Sequence, residues 1–161
     1  MHVTLNFVHV ASAFVWAGGA LFLTLFVGRA AQAAGPGAGP FMGALLTRTP
    51  LVDVMMWASL LTVGSGLWLW FLDFGGGMPS GWRGVVLSIG ALAGISALAL
   101  GLLRQRPTTL AMRQLALEMG GNPPTEVQAA RMGELRAKMT NYGNVLAILV
   151  AVAITGMSLG A

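Results

Sequence analysis

Four stretches of this chain run without an Asp, Glu, Lys or Arg: Leu5 to Val27, Val54 to Leu72, Gly84 to Leu103 and Tyr142 to the C-terminus. A hydrocarbon core of about 30 Å takes roughly 20 apolar residues at about 1.5 Å of helical rise, so each stretch has the length of a transmembrane helix. Only 9% of the 161 residues are charged, against about 25% in a soluble domain. A water-soluble globule is excluded. The expected fold is all-α: one integral membrane domain over residues 1–161, a four-helix transmembrane bundle with residues 104–141 outside the bilayer. The absence of cysteine removes disulfides, zinc–thiolate sites, iron–sulfur clusters and thiol nucleophiles together.

The charges encode orientation. Arg29 and Arg48 follow the first span, Arg83 follows the second, and Arg104, Arg106, Arg113, Arg131, Arg136 and Lys138 follow the third, eight cations on one side against one on the other. The positive-inside rule then puts the first and third connections in the cytoplasm and both termini outside it. The first span is read as retained and not as a signal peptide. Its apolar stretch is long, no basic residue precedes it, and Arg29 follows it. Trp68, Trp70 and Trp82 are expected near the outer interface, where indoles settle, and Trp57 near the inner one.

The joints are legible. Gly35 to Pro40 cannot continue a helix and marks a turn, after which Phe41 to Leu46 is expected to lie along the interface. Thr49 and Pro50 read as a cap and a first helical position, and Ser80 as a cap for the third span. Leu103, Leu110 and Leu117 recur every seven residues, and Met132, Leu135, Met139, Tyr142, Leu146 and Leu149 alternate steps of three and four. Gly120-Gly121-Asn122-Pro123-Pro124 between them stops one helix and starts another, with Asn122 or Thr125 as the next cap. Spans three and four are therefore expected to continue as an antiparallel cytoplasmic hairpin, kinked at Pro107. The charged face of that hairpin reads as solvated and near anionic lipid, not as a nucleic-acid site, because no aromatic residues interleave the charges.

Chemistry has few carriers. No paired carboxylates, Ser/His/Asp set or phosphate loop occurs. The two histidines, His2 and His9, both lie on the first helix, where steps of three and four align His2, Asn6, His9, Ala13 and Trp16 along one face. His9 falls inside the outer leaflet. A histidine there is either hydrogen-bonded within the bundle or a ligand for heme iron, copper or chlorophyll magnesium. At comparable depth on the other spans stand Ser65, Gly66 and Trp68, then Ser88 and Gly90, then Met157 and Ser158. Met157 is the one candidate for a His/Met axial pair, suited to heme b or Cu(I), and is otherwise a core filler. Gly90 and Gly94, like Gly156 and Gly160, form GxxxG pairs. Gly64, Gly66, Gly90 and Gly94 either bring helices close or leave room for a flat cofactor. His2 beside the amine of Met1 is a candidate copper chelate, or else a disordered terminal residue. Asp53 suits the first turn of its helix and is expected to pair with Arg48 or Arg29; Asp73, at a helix end, is expected to pair with Arg83.

The segment His9-Val10-Ala11-Ser12-Ala13-Phe14-Val15-Trp16-Ala17-Gly18-Gly19 resembles the first-helix signature H-x6-W-x-G-G of the bacterial copper-resistance protein D (CopD)-like superfamily, whose relatives include HemJ-type protoporphyrinogen oxidases. Trp57 to Leu67 is similar to the second helix of its four-span members. The resemblance implies a four-helix membrane bundle in which His9 ligates heme or handles copper. No histidine falls on spans two to four, so the chain has no bis-histidine pair across its helices. The leading expectation is a non-catalytic, cofactor-binding or accessory subunit of a redox or photosynthetic membrane complex, or a homo-oligomer, embedded in the lipid bilayer. The cofactor-binding candidates are His9, Met157, Trp16, Gly66 and Gly90, and the metal candidates His9 and His2. The alternatives are transport of copper or another small solute, and a heme-dependent HemJ-like oxidoreductase.

Overall fold

The computed structural model describes residues 2–160, and they are helical nearly throughout, with no strand among them. Helix α1 covers His2–Ala34, α2 Gly39–Thr47, α3 Leu51–Phe74, α4 Gly81–Met119 and α5 Glu126–Gly160. All but α2 are long and apolar enough to cross a membrane. Their outward faces carry Phe7, Phe14, Phe22, Phe26, Leu92 and Ile148, all exposed. A continuous apolar exterior of this kind is stable against lipid and not against water.

The joints follow from local chemistry. Gly35 turns α1 aside with φ of +56°, a single 3-10 turn follows over Gly35–Ala38, and α2 runs beyond the expected Phe41 to Leu46. Pro50 precedes α3 instead of opening it. Thr49 links the two helices, its hydroxyl donating to the Leu45 carbonyl at 2.6 Å and accepting from the Leu51 amide at 3.4 Å. Ser80 stands just before α4, but its side chain makes no capping bond, because the chain enters through Gly81 at φ of +76°. At the far end of α4, Gly120 closes the helix at φ of +56°. Thr125 then starts α5 with a reciprocal capping box. Its amide donates to Gln128 Oε1 at 3.0 Å, while the Gln128 amide donates to Thr125 Oγ1 at 3.3 Å.

Pro107 is answered by a π-helical turn over Gly101–Gln105, immediately upstream. Proline has no amide to donate and its ring crowds the carbonyl four residues back, and a wider turn relieves both faults without ending the helix. Helix α4 thus continues to Met119 and packs against α5 as the second arm of a hairpin, with Thr109 Oγ1 donating to Met139 Sδ over 3.6 Å.

Two helix pairs make up the bundle, α4 with α5 and α1 with α3, while α3 touches α4 only sparsely. The α4–α5 seam is built from small residues. A Cβ on Gly156 would lie 2.6 Å from Gly90 Cα, and one on Gly160 would lie 2.7 Å from the Leu87 amide nitrogen. Backbone meets backbone there, as GxxxG pairs allow. The two helix pairs join where Trp16, Ala17, Ala20 and Ala58 meet Ala97, Leu146 and Val150. His2 lies beside Asp73, and Gly160 beside Arg83 and Leu87. One end of the bundle therefore holds the start of α1, the end of α3, the start of α4 and the end of α5. The α4–α5 hairpin projects from the other.

Candidate functional site

His9 is the centre of a polar seam between α1 and α3. Its Nδ1 stands 2.8 Å from the backbone carbonyl oxygen of Thr62 and 3.3 Å from Ser65 Oγ. A carbonyl only accepts, so Nδ1 carries the proton and donates it. Ser65 directs its own hydroxyl to carbonyls of α3, Leu61 and Thr62, which leaves its oxygen as a second acceptor facing Nδ1. In the neutral imidazole the lone pair then lies on Nε2, which has no hydrogen bond among the described residues. A backbone carbonyl holding Nδ1–H is the arrangement that fixes the tautomer and ring orientation of an Nε2 metal ligand.

The ring reaches that carbonyl because residue 66 is glycine. A Cβ there would lie 2.8 Å from His9 Cε1 and 3.1 Å from Nδ1. The space left by Gly66 is filled by the imidazole itself and is not open to a flat cofactor. One turn along, Ser12 and Thr62 are both buried, their hydroxyl oxygens 3.0 Å apart. Ser12 Oγ also stands 2.7 Å from the Val8 carbonyl, and Thr62 Oγ1 stands 2.7 Å from the Ala58 carbonyl. Ser12 directs its hydroxyl back to carbonyls of α1, the second being that of His9 at 3.2 Å, so Thr62 Oγ1 is the donor to Ser12 across the helices. Ser12 and Thr62 escaped the sequence reading. The signal was present, because Thr62, Ser65 and Gly66 fall at steps of three and four on one face of α3, and Ser12 lies three residues beyond His9.

The other candidates lie elsewhere. Trp16 is buried at 8% exposure in the core joining the helix pairs, on a π-helical turn over Phe14–Gly18. Gly19 of the same motif admits Met55, whose Sδ would be 2.9 Å from a Cβ at that position. Gly90 and Met157 belong to the α4–α5 seam. A Cβ on Gly90 would be 3.0 Å from both the Gly156 backbone and the Met157 amide nitrogen, so this glycine serves helix contact and leaves no slot for a cofactor. The His9 hydrogen bonds all go to α3, and none involves Met157.

His2 opens α1, and its Nδ1 lies 3.6 Å from Asp73 Oδ1, with both side chains about half exposed. Asp73 therefore faces His2 and not Arg83, which instead extends over the Trp82 ring with Cζ 5.7 Å from its centroid. The helix end that disfavours Asp73 lies against the start of α1, whose orphan amides and imidazole favour it. A chelate involving Met1 falls outside the described residues. Asp53 occupies the first turn of α3, where the helix dipole favours it, and has no cation within 4.0 Å among the described residues.

No group of three or more His, Asp or Glu side chains able to cage a metal occurs among the described residues. An apolar groove of about 530 Å³ runs between α1 and α3, lined by residues such as Phe7, Ala11, Val15, Trp57 and Leu61; His9 is not among the lining residues. No protein-family model matches the chain, and no curated protein or solved structure matches it either.

Proposed function

We propose that this chain is a non-catalytic, multi-pass membrane subunit that holds a metal tetrapyrrole, heme b or a chlorophyll, through Nε2 of His9. The observation that carries this reading is the 2.8 Å bond from His9 Nδ1 to the Thr62 carbonyl, which leaves one oriented nitrogen lone pair on the α1–α3 pair that the protein does not bury. A tetrapyrrole brings four equatorial nitrogens of its own and asks the protein for a single axial ligand, which is what a lone imidazole can give. A protein-built copper site asks for more donors than the His9 seam offers. Membership of the CopD-like group, a bacterial inner-membrane location and both termini outside the cytoplasm are parts of the same proposal, supported by the His9 to Gly19 signature and by the eight-to-one distribution of cations. Assembly with other membrane subunits accords with how little of each span the bundle buries, 17–28% over the most apolar windows.

Copper transport is the second reading. Its specific support is the His2–Asp73 pair, seven residues up α1 from His9 and about 10 Å away along the axis. The test is an optical spectrum and metal analysis of protein purified in mild detergent from its native membrane. A Soret or chlorophyll band supports the tetrapyrrole; copper without a chromophore supports transport; neither leaves His9 as a packing residue.

A further inference from the structure

We infer that α5 pairs with α5 of a second copy of this chain, along the face it turns away from its own bundle. Gly143, Leu146, Val150 and Gly156 are buried on one side of α5. On the opposite side, steps of three and four align Asn141, Asn144, Ile148, Ala151, Thr155 and Ser158, every one of them exposed. The outward positions of α1 and α3 carry residues such as Phe7, Phe14 and Phe71 instead. The antiparallel register that sets Gly156 against Gly90 brings Asn144 level with Leu102, just inside Arg104 at the edge of the hydrocarbon. Thr155 lies about 16 Å farther into the membrane, three helical turns away.

The polar groups of this row have no partners. Ser12, Ser59, Thr62 and Ser88 each donate to a carbonyl of their own helix, whereas Asn144, Thr155 and Ser158 make no side-chain hydrogen bond among the described residues. Hydrocarbon supplies neither donors nor acceptors, so these groups gain partners only from another polar helix face. A second copy offers that face. A carboxamide both donates and accepts, so Asn144 is complementary to itself across a twofold axis. Two copies inserted in the same sense hold every residue at one depth, so Asn144, Thr155 and Ser158 each meet their own counterparts. Ala151 between them lets the two backbones approach. Toward the hairpin tip the row continues as Ala137, Gly133 and Ala130, exposed and uncharged among Arg131, Glu134, Arg136 and Lys138. This pairing is independent of what His9 holds.

Oxidative cross-linking in liposomes tests the pairing, since the chain has no cysteine of its own. Ala151→Cys protein should form a covalent dimer, and Leu92→Cys, on the exposed face of α4, should stay monomeric. Titrated by dilution in lipid, Asn144→Leu or Thr155→Val added to Ala151→Cys should each weaken pairing at least about threefold, the effect of one interhelical hydrogen bond in a membrane. Ser96→Ala, which removes an exposed hydroxyl from α4, should leave pairing unchanged. Asn144 and Thr155 both face outward, so the helical circular dichroism should be retained; if Asn144→Leu does not fold, Thr155→Val decides. Cross-linking of Ala151→Cys no greater than that of Leu92→Cys, or wild-type pairing in both Asn144→Leu and Thr155→Val, would overturn the proposal. So would native mass spectrometry of the complex from its own membrane, if it showed a different polypeptide that is lost in Asn144→Leu, because the row would then belong to another subunit.

Discussion

Nδ1 of His9 donates to the backbone carbonyl of Thr62 across the α1–α3 seam, over 2.8 Å. The acceptor is main chain, so no substitution of the Thr62 side chain removes it, whereas the gap at Gly66 through which the ring arrives can be closed by one methyl group. These two facts separate orientation of the imidazole from packing of the helices.

Gly66→Ala should push the imidazole off the Thr62 carbonyl and cost about 1–3 kcal/mol, as overpacking does. Gly64→Ala is its control, with nothing within 4 Å of the added Cβ, and should be neutral or slightly stabilising through helix propensity. Thermal unfolding in one detergent, followed by circular dichroism, distinguishes the two. Equal effects would mean that His9 does not occupy the Gly66 gap.

Thr62→Val should remove the hydroxyl contacts with Ser12 and with the Ala58 carbonyl and leave the Thr62 main-chain acceptor in place. Interhelical hydrogen bonds of this kind contribute about 0.6 kcal/mol on average in a membrane. The His9 imidazole should keep its Nδ1–H tautomer, read from its ring ¹⁵N shifts. A change of tautomer would show that the hydroxyl, not the carbonyl, orients the ring.

Gly156→Ala should force α4 and α5 apart, because the added Cβ would meet Gly90 backbone at 2.6 Å, and backbone cannot give way. Gly94→Ala meets only the Ala153 Cβ at 3.9 Å and should be tolerated. Disulfide trapping between cysteines introduced on the two helices reports their separation. Loss of trapping in Gly94→Ala but not in Gly156→Ala would contradict the seam.

Met157→Leu should leave any absorption band of the purified protein unmoved, since the Met157 main chain lies against Gly90 on the α4–α5 seam and the His9 hydrogen bonds go to α3. A shifted Soret band would restore the His/Met axial pair.

The spans were readable because uncharged runs of bilayer length have few other uses. Their ends were not, since Arg29 and Arg104 end the uncharged runs and helix continues past both. The seam was half readable. Depth along each helix brought His9, Ser65 and Gly66 to one level. Depth says nothing of rotation about the axis, which is why Gly90 and Met157, read at the same level, belong to another interface. Two things had no letter to read: the Thr62 carbonyl, which every residue possesses, and the filling of the Gly66 gap by a side chain of the same protein. Asp73 was misassigned for a similar reason. Arg83 is nearer in sequence, but the antiparallel pairing of α1 with α3 brings His2 to it.

Ligation by His9 is tested most directly by chemical rescue. His9→Gly protein, purified with and without imidazole and compared with wild type, is examined for bound chromophore and metal per chain. The expected result is a stoichiometric group in wild type, its loss in His9→Gly with the helical circular dichroism retained, and its return with imidazole. A wild-type protein free of any chromophore or metal, or a His9→Gly protein that keeps the wild-type content, would contradict ligation by His9.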